Sequence, residues 1–459
     1  QVYPSPRFES NADSTEAALR LPYAAALAEE AYDTLAARYG YRPATPIRLE
    51  IYRSHADFSV RTVGLAGLGA LGVSFGTVLA MDSPWARERG SFNWGSTLWH
   101  EVGHTFTLGI TEHRVPRWFS EGLSVLEERR ARTGWGAGVT LGFLASLKAG
   151  RLLPVSRLND GFLRPSYPGH VGHSYYQASL VCEYIASRWG DGAITRLLHA
   201  YRDGRTQDEA TRQVLAVEPG ALDRDFERWL RERYTRELDA VSSAPPDSPD
   251  PAAPRVGRPV QTEAVNRGDF LGNLGAGRFL FERGAHDQAA KLLEQAKALF
   301  PDYAEADSPY WYLALIARDL GDQARAIAEL RELTRRNEAA WEAHEALAIL
   351  QEQAGDRAGA AATLERMVWI QPGDPTLHAR LAALYGALGR YPLAVRERRA
   401  VLATNPTDRA AAEYELARAL QAAGDMSGAR SAVLRALEVA PGYDAARALL
   451  LELRRGGAS

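Results

Sequence analysis

Over residues 263–459, apolar positions recur at helical spacing in a background rich in Ala, Leu, Glu and Arg. That periodicity predicts a succession of amphipathic helices. Glycines stand at 284, 321, 355, 389 and 424, spaced 37, 34, 34 and 35 residues apart, and each opens a helix–turn–helix corner. Five residues after each glycine comes an alanine: Ala289, Ala326, Ala360, Ala394 and Ala429. Pro301, Pro372, Pro406 and Pro441 end four of the units, with Glu338 where the second would have its proline. A small residue lets paired helices approach, and proline stops a helix because it cannot donate the ladder bond. A last helix from Asp444 to Arg455 is expected to cap the stack.

Residues 1–240 are patterned less regularly. Pro22 to Tyr39 predicts a helix with proline in its first turn and Gly40 after its end. Ile47–Tyr52 alternates with period two and predicts a strand, and Gly72–Ala80 predicts another, its glycines marking a sheet edge. Helices are expected over about 92–109, 116–132, 139–149, 173–189, 191–203 and 220–238. A small sheet followed by helices is an α+β arrangement. Ser242 to Val260 is crowded with proline and lacks apolar periodicity, as a solvated linker would. The division is therefore 1–240, a linker at 241–262, and five repeats with a cap at 263–459, the halves folding separately. The period near 34 with its small crossing residue resembles the tetratricopeptide repeat.

At 459 residues the chain is long for a single core, which agrees with that division. A net charge of −3 gives no electrostatic reason to expect nucleic acid or an anionic membrane as partner. The longest apolar run, Leu65 to Phe75, is too short to span a bilayer, so no transmembrane segment is expected. The single cysteine, Cys182, excludes an intrachain disulfide and sits in an apolar stretch that suits a buried thiol. The chain begins Gln1-Val2-Tyr3, a start that a removed signal peptide or a trimmed chain would each give. A periplasmic or secreted location is expected, with a cytoplasmic one as the alternative.

The chemistry is concentrated in His100-Glu101-Val102-Gly103-His104. Four residues is slightly more than one helical turn, so both imidazoles project from one face and can share a single Zn2+. Glu101 points beside the metal, where it can take a proton from the water there. The metzincin pattern fails, because Thr107 and Ile110 stand where it needs glycine and histidine. His113 lies three residues too far along and suits a surface loop. Pro116 can start a second helix, anchored by Trp118 and Phe119. A carboxylate early in that helix can return to complete a two-histidine, one-glutamate set. Glu128, two turns after Glu121 on the same face, can accept the spare N–H of a ligand histidine. His173, in a glycine-containing segment near Tyr175, is a candidate oxyanion donor.

Arg117-Trp118-Phe119-Ser120-Glu121-Gly122 resembles the WLxEGxA segment of gluzincin peptidases, whose glutamate before the glycine is the third zinc ligand. Glu121 matches it, after sixteen intervening residues. The segments FNWGSTLWHEVGH, VPRWFSEGLSVLEE and YYQASLVCEYIASRWG together resemble bacterial peptidase-MA-like proteins that carry tetratricopeptide repeats. The resemblance implies a zincin-like (thermolysin-like) α+β peptidase domain followed by an all-α tetratricopeptide solenoid, mainly helical overall. It places the oxyanion-stabilising tyrosine of the YxKGxLV segment at Tyr175, with Tyr176 the alternative register and a core-packing residue. Gln177 replaces the lysine of that segment and no GAMEN sequence is present, which points away from aminopeptidase and toward endopeptidase activity. The expected function is zinc-dependent hydrolysis of peptide bonds, the repeats recruiting a peptide or protein substrate or partner on their concave face. The rivals are a non-catalytic zinc-containing scaffold, and hydrolysis of a non-peptide amide or ester by the same groups.

Overall fold

The computed structural model describes residues 1–64, 69–88, 90–241 and 269–455. The proline-rich linker, Val241 apart, lies outside the described residues, and Val241 itself is buried. Five strands form one mixed sheet: β1 (Val2–Pro4), β2 (Phe8–Ala12), β3 (Ile47–Tyr52), β4 (Gly72–Ser74) and β5 (Val78–Asp82), in the order β1-β2-β3-β5-β4. The pairs β2–β3 and β3–β5 are parallel, with Leu49 opposite Leu79 and Ile51 opposite Met81. Parallel neighbours need crossovers, and these are α1 (Ser14–Tyr39) and α2 (His55–Val63). Alternation in β3 buries Ile47, Leu49 and Ile51.

Two expectations need correction here. The predicted helix from Pro22 begins at Ser14, so Pro22 lies inside α1. Ala17, Leu21, Ala24 and Ala28 form a buried stripe through the proline, and Glu16 pairs with Arg20 in the interior. Packing on both sides outweighs the one ladder bond that proline lacks. The single strand expected over 72–80 is a hairpin, turned at Gly76 with φ of 86° and closed by the Phe75 N–H donating to the Val78 carbonyl at 2.9 Å. The turn makes β4 the sheet edge.

Helices complete the N-terminal half: α3 (Trp94–Thr111), α4 (Arg117–Ala131), α5 (Leu141–Lys148), α6 (Asn159–Leu163), α7 (His170–Trp189), α8 (Asp191–Arg202), α9 (Gln207–Ala210), α10 (Pro219–Arg233) and α11 (Thr235–Ala240). The helix expected over 220–238 is thus two helices, broken at Tyr234. On α3, Phe106 meets Tyr32 of α1 with ring centroids 5.5 Å apart. Gly122 brings α4 against α7 so closely that a Cβ there would lie 2.6 Å from the Ala178 carbonyl.

The C-terminal half is a stack of helix pairs: α12 (Phe270–Glu282) with α13 (His286–Leu299), α14 (Pro309–Asp319) with α15 (Gln323–Arg336), and α16 (Trp341–Gln353) with α17 (Arg357–Val368). It continues through α18 (Pro375–Ala387) with α19 (Tyr391–Ala403) and α20 (Arg409–Ala422) with α21 (Met426–Val439), to α22 (Asp444–Arg455). The five corner glycines take φ of 71–82°, left-handed backbone that favours glycine. The five crossing alanines are all buried.

The halves do not stand apart as the linker composition suggested. One buried cluster runs from the sheet into α19. The Trp94 N–H and indole N–H donate to the carbonyls of Trp369 and Val368 at 2.9 and 3.0 Å, and the Trp94 and Trp369 rings lie 4.8 Å apart. Tyr23 of α1 donates to Glu397 of α19 at 2.9 Å. Trp369→Ala should therefore cost the whole chain about 3 kcal/mol and keep a single melting transition. Calorimetry showing two transitions, with only the later repeats affected, would exclude a shared core.

Candidate metal centre

Helix α3 starts at Asn93, whose Oδ1 accepts the Ser96 N–H at 2.9 Å, and runs through both histidines. His100 and His104 lie one turn apart with ring centroids 4.7 Å from each other. Pro116 and Arg117 open α4 at the return, and Glu121 follows in its second turn. Glu121 Oε2 is 3.2 Å from His100 Nε2 and 3.2 Å from His104 Nε2. The three donor groups fall within 4.8 Å of one another, close enough to hold one metal ion.

The opposite ring nitrogens are held from outside. His100 Nδ1 is 2.7 Å from Glu128 Oε1, and Ser96 donates to the other oxygen of that carboxylate. His104 Nδ1 is 2.8 Å from Ser120 Oγ, which also meets Thr107 Oγ1 at 2.6 Å. With each Nδ1 occupied, both Nε2 atoms face one point together with a carboxylate oxygen. Two imidazoles and one carboxylate are a donor set that fits Zn2+.

Glu101 is buried beside this set, and its Oε2 has no hydrogen-bond partner among the described residues. It lies against β4: a Cβ on Gly72 would come within 2.4 Å of Glu101 Oε1, so only glycine leaves room for the carboxylate. Burial pushes the Glu101 pKa up to about 7, partly opposed by His104 and His100. Glu121 is buried as well, yet the two histidines outweigh burial and hold it well below the usual carboxylate range. Burial works against a charged His100, but the Glu121 and Glu128 carboxylates raise its pKa well above the imidazole value.

Tyr175 on α7 has its ring 6.2 Å from that of His100 and packs against Phe162 at 5.1 Å. Burial, and then the Glu121 charge, push its hydroxyl pKa up, so it stays a donor. Arg117 Nε donates to Glu121 Oε1 at 3.2 Å, and the nearby Arg117 charge partly opposes the rise of the Tyr175 pKa. Tyr176 is turned away into the core against Phe143 and the Tyr234 hydroxyl.

His173 belongs to a different neighbourhood. Its Nδ1 meets the Tyr167 hydroxyl at 3.2 Å and Ser146 Oγ at 3.4 Å, and burial lowers its pKa to about 4. The loop position that suggested an oxyanion donor is the first turn of α7, which carries His173 to the α5 side. His113 is exposed beyond the end of α3, beside Gly76, and is absent from the cluster. Ser96, Ser120 and Arg117 were not singled out from the sequence. Their signal was helical phase: Ser96 precedes His100 by four residues, and Arg117 precedes Glu121 by four.

Residues 27–232 match the family model of the Peptidase MA superfamily, a span that holds every residue of this centre. No curated protein matches the chain. Among solved structures the chain is similar to YrrB, described as a tetratricopeptide protein with an unusual peptide-binding site, at 16% identity, TM-score 0.31, over 40% of this chain and 96% of that one. It is also similar to MamA, at 18% identity, TM-score 0.29, over 37% and 90%. MamA of Desulfovibrio magneticus matches at 14% identity, TM-score 0.28, over 39% and 98%.

Two outcomes follow from the geometry. Glu128→Gln should lower zinc affinity about 10–100-fold, because the amide cannot polarise the His100 N–H as a carboxylate does; unchanged affinity in a chelator titration would remove Glu128 from the centre. Glu101→Gln should stabilise the metal-free protein, and more so at pH 8 than at pH 5. A carboxyl whose folded pKa is raised from 4.5 to about 7 is favoured as the acid, so the cost of ionising it within the fold appears only as pH rises through that interval. Equal melting temperatures for parent and variant at both pH values would contradict the buried position.

Proposed function

We propose that the chain is a zinc-dependent metallopeptidase of the gluzincin type, with a thermolysin-like peptidase half, acting as an endopeptidase. The observation that carries the proposal is the convergence of His100, His104 and Glu121 on one point, with the unpartnered Glu101 carboxylate beside it. The Peptidase MA match over the same residues supports it.

His100, His104 and Glu121 would hold Zn2+, which when bound supplies Lewis acidity and makes a water nucleophilic near neutral pH. Glu101 Oε2 takes the proton of the attacking water and returns it to the leaving nitrogen. Its burial beside Gly72 holds the carboxylate at the sheet edge, where the 72–74 backbone can pair with an extended substrate. The Tyr175 hydroxyl donates to the developing oxyanion, an interaction worth about 3 kcal/mol. Arg117 holds one Glu121 oxygen. The TPR-like stack recruits the peptide or protein substrate, or a partner, along its concave face.

Glu101→Gln should keep one zinc per chain and lose hydrolysis by about 100- to 10,000-fold, the span a general base contributes. His104→Ala should lose the metal. A proteolysis screen on diverse peptides with zinc-loaded protein tests both. Full zinc occupancy with no turnover on any peptide would favour the non-catalytic scaffold, and turnover on esters or other amides alone would move the substrate class. Unchanged turnover in the Glu101 variant would remove the mechanism.

A further inference from the structure

A cavity of about 360 Å3 lies where the two halves meet, on the N-terminal side of His100. One wall is built by Phe92, Asn93, Ser96 and Glu128 with the loop 134–140. The other wall is built by 302–305 and 336–339, which connect the first three helix pairs of the stack. Ser96 and Glu128 are the groups that hold His100, and the lining residue Leu71 adjoins β4. The cavity therefore borders the metal centre and the sheet edge while its far wall belongs to the repeats.

Its chemistry is one-sided. Glu128, Asp302, Glu305 and Glu338 contribute carboxylates; Glu128 is held by Ser96 and His100, Glu338 by Arg366 and Asp302 by Arg336, the cation among the described lining residues, which leaves Glu305 unpaired. Arg336 is already committed to Glu332 and, at 3.5 Å, to Asp302. Glu305 is exposed, has no ion pair among the described residues, and its charged neighbour is another carboxylate, Asp307. The buried faces of Phe92 and Trp135 give the cavity an apolar floor.

Three side chains on the lining hold buried polar atoms with no hydrogen-bond partner: Asn93, Glu338 and, through Nε, Arg336. Asn93 is 8% exposed; its Oδ1 caps α3 and its Nδ2 is unpartnered. Glu338 is 5% exposed; Arg366 takes its Oε1, while its Oε2 has His344 no nearer than 3.7 Å. Such groups are costly when left unpaired, and their clustering on one cavity marks a place for a ligand. Glu338 is also the residue that replaces the terminating proline of the repeat pattern. Gly134, at φ of 89°, makes room for it: a Cβ there would lie 2.9 Å from Glu338 Cγ. The departure from the repeat and the accommodating glycine face each other across the junction.

We infer that this cavity is a subsite for an arginine or lysine side chain of a peptide, so that the substrate class is basic peptides held jointly by both halves. The methylene stem lies on Phe92 and Trp135, the cationic head meets Glu305 and Asp302, and Asn93 Nδ2 donates to a backbone carbonyl of the peptide. As a statement about a peptidase substrate this rests on the function proposed above, whereas the binding of a basic peptide can be measured without hydrolysis.

The test uses full-length, zinc-loaded protein carrying Glu101→Gln. The probes are fluorescein-labelled hexapeptide pools, random except for one fixed position occupied by lysine, arginine or the uncharged norleucine. Fluorescence anisotropy should give about tenfold or tighter binding of the basic pools, the range expected of a charge-assisted contact. Glu305→Gln combined with Asp302→Asn should bring the ratio toward one while zinc content and melting temperature stay unchanged. In protein with Glu101 intact, the same pair should raise KM for basic peptides and leave kcat alone. A ratio near one in the parent, no binding of any pool, or a ratio indifferent to the two substitutions overturns the subsite. Charge discrimination without hydrolysis in the Glu101-intact protein would sink the peptidase proposal and leave the subsite standing.

Discussion

The first turn of α3 is the part of the molecule on which the rest depends. The opening N–H groups of a helix have no partners within it, and here they are satisfied from two directions. Asn93 caps Ser96 from within the N-terminal half, and the Trp369 carbonyl of the stack accepts from Trp94. Trp94 is fully buried at that junction, and a Cβ on Gly95 would lie 2.8 Å from the Trp369 ring. The helix thus cannot slide or rotate without breaking contacts to both halves. His100, Glu101 and His104 follow within the next three turns, so the anchoring of its start sets where their side chains project.

The centre that α3 carries places Glu101, Glu121, Glu128 and two imidazoles in a nearly closed space, and their environments push them apart in character. Glu121 touches both histidines and is held ionised. Glu101 touches neither through its free oxygen and is pushed up to about 7. In the function proposed above a carboxylate ligand must be ionised and a proton acceptor must work near its own pKa, so the same residue type would serve two tasks through position alone. Assembling these carboxylates without a cation burdens the fold, and metal binding to such a set is coupled to stability.

Much of this was legible in the chain, for identifiable reasons. Glycine and alanine at fixed spacing announce the helix pairs because each position has a backbone or packing requirement no other residue meets as well. His100 and His104 announce a shared face because helical pitch fixes their phase. The start of α1 was hidden because Pro22 looks like a beginning when only local preference is considered, and tertiary packing decides otherwise. The β4–β5 turn was hidden because Gly76 sits within an unbroken alternation. His173 was misplaced in space for a related reason: proximity to Tyr175 along α7 says little when neighbouring residues point to different sides of a helix. Ser120 is buried next to a ligand and reads as an ordinary small residue until His104 Nδ1 is found beside it.

The junction between the halves was the least legible feature, and it changes what the repeats can be doing. A proline-rich connection suggests a tether, whose removal would alter encounter with substrate and little else. Contacts among Trp94, Trp369, Tyr23 and Glu397 instead join the stack to α1 and to the start of α3, and the stack forms one wall of the cavity beside the centre. Deleting residues 263–459 would uncover Trp94 and the α1 surface, so loss of activity after deletion could not distinguish recruitment from support. Substitutions on the solvent side of the wall can, because Asp302 and Glu305 face the shared cavity without filling the core. Trp369, in the connection after α17, is fixed against the helix that bears the histidines.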